Sequence, residues 1–276
     1  MLPRTKFPWL YIVLAYALAW LFWIPVALTM QDYQSSPLLL IIVLVGVFGP
    51  GLAGIFMTYR EGDRDFRRDF WRRMLDARRI RPLWLLVILF LWPGIQLLAL
   101  ALNKILGGIT PASEFVQEVI TQPLSIPVVI ILYFIQAGLE ELGWRGYMLE
   151  RMLPSWGALR SSLLVGIFHA LWHLPMFFMV GTNQIKMGLD LDFLIFVVQV
   201  LAYSILTTWV YTGNGHSTLA ATLFHCMGNL CLDIFVVAPG TMKNNLYTLL
   251  IVLGAVIVGV LWWHKGLNRM ASMISQ

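Results

Sequence analysis

The sequence has 276 residues, of which 59% are hydrophobic and 12% charged, and its mean hydropathy is +0.77. Its apolar runs of about 20 residues suit membrane-spanning helices and are too uniform for the alternating strands of a β-barrel. The composition therefore excludes a soluble domain and predicts an all-α, polytopic transmembrane helical bundle. The net charge of +5 does not indicate a nucleic-acid-binding protein, because nine of the 19 basic residues lie in one short loop, an asymmetry that reports membrane topology.

About eight spans are predicted in chain order. They lie at about 8–30, 37–59, 83–102, 126–150, 160–180, 192–212, 218–238 and 246–264. Eight spans place both termini on one side of the membrane, and sixteen of the 19 Lys and Arg residues then share that side. By the positive-inside rule that side is the cytoplasm. We therefore predict an integral protein of the bacterial plasma membrane with both termini in the cytoplasm.

The loop at 60–82 predicts an interfacial amphipathic helix between the second and third spans. Its apolar residues recur at helical spacing: Phe66, Phe70, Trp71, Met74 and Leu75. Arg and Asp residues fill the opposite face, so the helix is expected to lie along the headgroups, held by its apolar stripe and by anionic lipid. A solvated connector would explain the charge but not the aromatic stripe.

Two adjacent carboxylates, Glu140 and Glu141, lie near the end of the predicted fourth span. A carboxylate in the hydrocarbon layer costs roughly 3 kcal/mol or more, so an ionisable residue at that depth is a candidate functional residue. Glu141 precedes Arg145 by four residues, and the two can pair along one helix face. Glu140 points about 100° away from Glu141 and lacks such a local partner. It is therefore the preferred candidate.

Two later pairs share helix faces at i, i+4 spacing: His169 with His173, and His225 with Asn229. A lone histidine on an apolar face is more often a core residue than a catalyst, but two on one stripe at membrane depth favour function. From the helical rise, Glu140 and the histidines reach similar depths in the cytoplasmic half of the bilayer. We expect these side chains to meet.

Such a set suits hydrolysis by an activated water. Glu140 would act as the base and His173 would position the same water. His225 and Asn229 would donate hydrogen bonds to the developing oxyanion. Metal assistance is the close alternative, because Glu140, His173 and His225 would make an acceptable zinc site. The zinc-protease signature HExxH is absent, since Ala170 stands where its Glu should be.

At these residues the sequence resembles the CAAX-protease and bacteriocin-processing family of intramembrane proteases, whose archetype is the Rce1-type endopeptidase. Two motifs match in full, EExxxR and His-x-x-x-Asn, and their residues are Glu140, Glu141, Arg145, His225 and Asn229. The motif Phe-x-x-x-His is matched in part, because His173 fits but His169 stands where Phe is usual. This departure leaves the catalytic histidine intact and concerns the neighbouring pocket.

The resemblance also implies how the chain is organised. Residues 1–125 hold the N-terminal spans, residues 126–240 form the protease core, and residues 241–276 hold the last span and a cytoplasmic tail. The implied catalytic residues are Glu140, His173, His225 and Asn229, supported by Glu141, Arg145 and His169.

The implied activity is an intramembrane endopeptidase that cuts near the cytoplasmic membrane face. A metal-free mechanism without a cofactor is favoured, and zinc is the alternative. The expected partners are a peptide or membrane-anchored protein substrate and membrane lipids, but no nucleic acid. Two other functions stay open: a proton-coupled transporter, in which Glu and His form a relay, and a non-catalytic family member acting in bacteriocin immunity.

Overall fold

The computed structural model describes the backbone of residues 7–274 and the side chains of residues 7–262. Within these ranges the chain is helical, without β-strands. The helices are α1 (Trp9–Thr29), α2 (Pro37–Val47), α3 (Gly49–Glu61), α4 (Arg64–Leu75), α5 (Pro82–Ile105), α6 (Glu114–Thr121), α7 (Ile126–Gly143), α8 (Glu150–Trp172), α9 (Asn183–Met187), α10 (Leu191–Gly213), α11 (Thr218–Phe235) and α12 (Met242–Ile274). A π-helical turn, Trp144–Leu149, joins α7 to α8.

Seven helical segments of the described chain are long and apolar enough to cross a membrane. One of them runs for 56 residues, Pro123–Phe178, although a span needs only about 20. Gly157 breaks its helical backbone with φ 69° and ψ 173°, a conformation that glycine adopts without a steric penalty. The break separates the predicted fourth and fifth spans. The all-α bundle of about eight spans is therefore confirmed, and the protein is an integral membrane protein.

Close backbone contact fixes α3 against α7 beside the paired carboxylates. A Cβ atom on Gly51 would lie 2.6 Å from the carbonyl oxygen of Leu139, and one on Gly54 would lie 2.9 Å from the Cα of Gly143. Small residues of this kind let helices approach closely inside membranes, where van der Waals packing drives association. The glycines of α3 thus set the position of the end of α7, which carries Glu140 and Glu141.

The predicted surface helix is present as α4. Asp63 caps its first turn, since its Oδ1 accepts a hydrogen bond from the backbone N–H of Phe66 at 2.8 Å. Phe70 is fully buried in the protein core, and Arg73 is only 2% exposed. Arg73 donates a hydrogen bond to the carbonyl oxygen of Gly146 at 2.9 Å, within the π-helical turn. One face of α4 therefore packs on the bundle itself.

Two apolar clusters form most of the core, and the paired carboxylates lie between them. The first joins α1 and α3 to the π-helical turn and includes Trp144 and Trp172. The second joins α5, α10, α11 and α12 and includes Trp92 and Phe224. Glu140 and Glu141 are themselves almost completely buried in these surroundings.

Candidate active site

Glu140 and Glu141 are both buried at the C-terminal end of α7, with 3% and 0% of their surfaces exposed. The π-helical turn follows directly and carries Arg145, which is fully buried. π-helical turns are rare and occur frequently at functional sites. Two acids and one base thus enter the interior within six residues, and each needs a partner there.

Glu141 has two partners. Its Oε1 accepts a hydrogen bond from Arg145 Nη1 at 2.9 Å and lies 2.8 Å from His225 Nδ1 on α11. Arg145 Nη2 also donates to Ser204 Oγ at 3.2 Å, and that hydroxyl donates to the carbonyl oxygen of Ser162 at 2.8 Å. This network links four helices: α7, α8, α10 and α11. The local Glu141–Arg145 pair agrees with the sequence spacing, whereas nothing in the sequence indicated the bond to His225.

Glu140 meets a different histidine. Its Oε2 lies 2.9 Å from His169 Nε2 on α8, and both side chains are almost completely buried. The spacing argument left Glu140 directed at His173, His225 and Asn229. Among the described residues, His169 is the hydrogen-bond partner of Glu140. Oε1 of Glu140 has no hydrogen bond to a described protein group and is not among the fully enclosed polar atoms.

The three histidines lie together around this carboxylate. The ring of His169 is centred 5.1 Å from that of His173 and 6.3 Å from that of His225. His173 Nδ1 lies 2.9 Å from the carbonyl oxygen of His169. Because a carbonyl only accepts, Nδ1 carries the hydrogen, and the neutral ring keeps a lone pair on Nε2. His173 therefore has one ring nitrogen available to a substrate or a water.

Asn229 is the one predicted site residue without a recorded contact in this cluster. It follows His225 by one turn of α11 and is half-buried. The structure records no hydrogen bond between its side chain and another described residue. Its amide is therefore uncommitted, one helical turn away from the histidine with which it was predicted to act.

Aromatic rings wall the histidines: Trp144, Trp172, Phe196 and Tyr203. The ring of Trp144 stacks on His169 at 5.1 Å with an interplanar angle of 28°. The ring of Tyr203 meets His225 edge-on at 5.2 Å. Such walls exclude water and strengthen each polar contact inside them. Sequence reasoning missed these residues, because single aromatics carry no distinct signal in so apolar a chain.

The alternative zinc site would draw its ligands from Glu140, His173 and His225. Glu140 Oε2 faces His169, and His225 Nδ1 faces Glu141, so each of these two candidate ligands has one donor atom engaged and one, Oε1 or Nε2, left over. Within the described part of the chain, no group of three or more His, Cys, Asp or Glu residues is arranged to hold a metal ion. The metal-free mechanism stays a prediction from the sequence.

Fold and site together define a polytopic helical membrane protein with a buried Glu–His cluster between its spans. Residues 122–231 match the family model of type II CAAX prenyl endopeptidases, Rce1-like. Residues 122–231 thus resemble an Rce1-like domain, and the resemblance predicted from the motifs is confirmed. It is also 25% identical over 258 residues to CAAX prenyl protease 2 of Methanococcus maripaludis, an alignment covering 91% of this chain and 93% of that protein. Both comparisons support a protease.

Proposed function

We propose that the protein is an intramembrane endopeptidase that hydrolyses a peptide bond near the cytoplasmic membrane face with a water activated by Glu140. One observation carries the proposal. Glu140 is a buried carboxylate with Oε2 next to a histidine and Oε1 without a bond to a described protein group. A desolvated carboxylate with one free oxygen is a suitable general base.

The reaction begins with proton transfer from water to Oε1 of Glu140. The water oxygen attacks the scissile carbonyl carbon as the proton leaves, and His173 Nε2 accepts the second hydrogen of the same water as a hydrogen bond. Glu140 then returns its proton to the leaving amine nitrogen as the carbon–nitrogen bond breaks. The peptide bond is replaced by a carboxyl group and an amine, so atoms and charge balance.

His225 and Asn229 are proposed to stabilise the oxyanion. The side chain of Asn229 donates from its amide without any change of protonation. His225 holds Nδ1 against Glu141 at 2.8 Å, so donation from Nε2 requires the imidazolium form. The carboxylate of Glu141 balances that charge while Arg145 holds the carboxylate in place. Donors fixed before the reaction are often the largest single contribution to catalysis.

The substrate class follows from the membrane setting and from the relative's name. We propose a peptide or a membrane-anchored protein, cut on the cytoplasmic side of the bacterial plasma membrane, with both termini of the enzyme on that side. The relative is named a CAAX prenyl protease, so a prenylated C-terminal peptide is the first substrate to test. We further propose that no metal takes part.

The test compares Glu140→Gln with Glu118→Gln, the same chemical change at an exposed residue of α6. Purified proteins in detergent are given a fluorogenic prenylated peptide, with and without a chelator. We expect Glu140→Gln to lower the rate by about 100-fold or more, the typical contribution of a general base, and Glu118→Gln to match the wild type.

Four results would count against the proposal. Full activity of Glu140→Gln would exclude Glu140 as the general base. Loss of activity with the chelator and its recovery with zinc would favour a zinc-dependent mechanism over the metal-free one. Proton flux in liposomes without peptide cleavage would favour the transporter, and neither activity in any variant would favour a non-catalytic family member.

A further inference from the structure

His169 occupies a position at which the family motif usually has phenylalanine, and it contacts the proposed base. Its Nε2 lies 2.9 Å from Glu140 Oε2, with 4% and 3% of the two side chains exposed. A phenylalanine at this position could fill the same space but could not donate a hydrogen bond. The chain therefore has a polar contact with Glu140 that the usual motif does not provide.

The same residue contacts both groups that are proposed to activate the water. Its ring faces Glu140, and its backbone carbonyl faces His173 Nδ1 at 2.9 Å. The first contact joins α8 to α7, and the second fixes the ring of His173, the residue directly after α8. A single residue thus relates the position of the base to that of its histidine partner.

The surroundings hold His169 in one orientation. Trp144, four residues after Glu140, stacks on its imidazole ring. On α1, the hydroxyl of Tyr16 donates to the carbonyl oxygen of Phe168 at 2.6 Å, and Trp20 Nε1 donates to that of Trp172 at 2.9 Å. These bonds fix the backbone of α8 on both sides of His169. Interactions of this kind lock the rotamers of a pre-organised site.

The charged groups around His169 are already paired with one another. Glu141 on α7 binds Arg145 of the π-helical turn, and Glu141 also faces His225 on α11. His173, directly after α8, faces a backbone carbonyl, and the ring of Tyr203 on α10 packs on His225. Glu140 is therefore the acid that faces His169 Nε2. An ionised carboxylate only accepts hydrogen bonds, so this nitrogen carries the hydrogen.

We infer that His169 is a positioning residue for Glu140: its Nε2–H holds Oε2 and leaves Oε1 as the oxygen that receives the proton of the attacking water. The inference rests on the proposed function. It assigns the two oxygens of one carboxylate to different tasks, one to orientation and one to proton transfer. A hydrogen bond to a charged group contributes more than one between neutral groups, so its loss should affect the reaction step.

Three substitutions at this position separate positioning from packing. His169→Gln keeps an N–H donor near the position of Nε2. The side chain of His169→Asn also has a donor but is too short to reach Glu140, and His169→Phe has no donor. We expect His169→Phe and His169→Asn to lower kcat by about 10-fold with KM changed less than about 2-fold. We expect His169→Gln to stay within about 3-fold of the wild-type kcat, because the donor is retained.

The controls distinguish the inference from the proposed function. Unfolding temperatures in detergent identify any variant that does not fold. If His169→Phe does not fold, the kcat of His169→Gln is compared with that of His169→Asn. If Glu140→Gln is inactive while His169→Phe and His169→Asn keep the wild-type kcat, the inference is wrong and the proposed function stands. The inference would also be wrong if the Phe and Asn variants raised KM without changing kcat, or if His169→Gln and His169→Asn lowered kcat equally. If Glu140→Gln is fully active, the proposed function itself fails.

Discussion

The protein places its charged side chains in two contrasting environments, the interior of the bundle and the surface helix α4. In the interior, Glu141 and Arg145 are fully buried and joined at 2.9 Å, and each has a further polar partner. Beside α4, the side chain of Arg78 is 92% exposed and pairs with Asp76, two residues away. Buried ions need partners because desolvation costs several kcal/mol per ion, whereas exposed pairs contribute little.

Arg73 of α4 belongs to both environments. Its side chain is 2% exposed and bonds at 2.7 Å to Asp69, whose own side chain is 46% exposed. Arg73 also lies 3.4 Å from the carboxylate of Glu150. Its other nitrogen reaches the carbonyl oxygen of Gly146, next to Arg145. Through this one side chain, the surface helix contacts the turn that carries the buried arginine.

The largest expected effect comes from breaking the buried pair. We expect Arg145→Met to destabilise the protein by about 3–5 kcal/mol, because it leaves Glu141 buried without its cation. Peptide cleavage should also fall, since Glu141 then no longer holds His225 in one orientation. The measurement is the midpoint of thermal unfolding in detergent together with the cleavage rate.

The matched control is Arg78→Met, which removes the same group from an exposed site. We expect no measurable change in its unfolding midpoint. Glu141→Gln combined with Arg145→Met should recover part of the lost stability, because both charges are then absent. Equal unfolding midpoints for Arg145→Met and Arg78→Met would remove the distinction between the two environments.

A smaller effect is expected for Arg73→Met. The substitution removes the bonds to Asp69 and Gly146, but Asp69 is nearly half exposed, so water replaces part of the loss. We expect destabilisation of about 1–3 kcal/mol and faster proteolysis within α4. Proteolysis at the wild-type rate would mean that Phe70 and its apolar neighbours alone hold the helix on the bundle.

The sequence predicted the parts of the molecule that depend on neighbouring residues. Each span satisfies its own backbone hydrogen bonds, so long apolar runs were sufficient to predict the helices. Glu141 and Arg145 are four residues apart, and their pairing needed only the helical repeat.

The partners of the two carboxylates could not be predicted in this way. His169 lies 29 residues from Glu140, and His225 lies 84 residues from Glu141. Which histidine meets which acid depends on how α7 is rotated against α8 and α11. Close packing of α3 on α7, at glycines such as Gly51, helps to fix that rotation. Helical spacing alone places Glu140 and Glu141 on different faces without saying what each face meets.

The smallest expected effect lies on the exposed side of α4. Arg68 and Arg72, one turn apart, have no recorded ion pair among the described residues, and with Trp71 they line a surface hollow of about 600 Å³. If α4 lies at the headgroups, as its apolar stripe predicts, the two arginines beside this hollow suit an anionic lipid phosphate, and each contributes about 1 kcal/mol. Arg68→Gln with Arg72→Gln should therefore reduce the rise in unfolding temperature caused by phosphatidylglycerol, while cleavage in detergent stays unchanged.

Lys104→Gln, on the predicted opposite side of the membrane, is the control. If the lipid stabilises the double variant and the wild type equally, the exposed arginines of α4 do not bind anionic lipid, and their charge reflects topology alone.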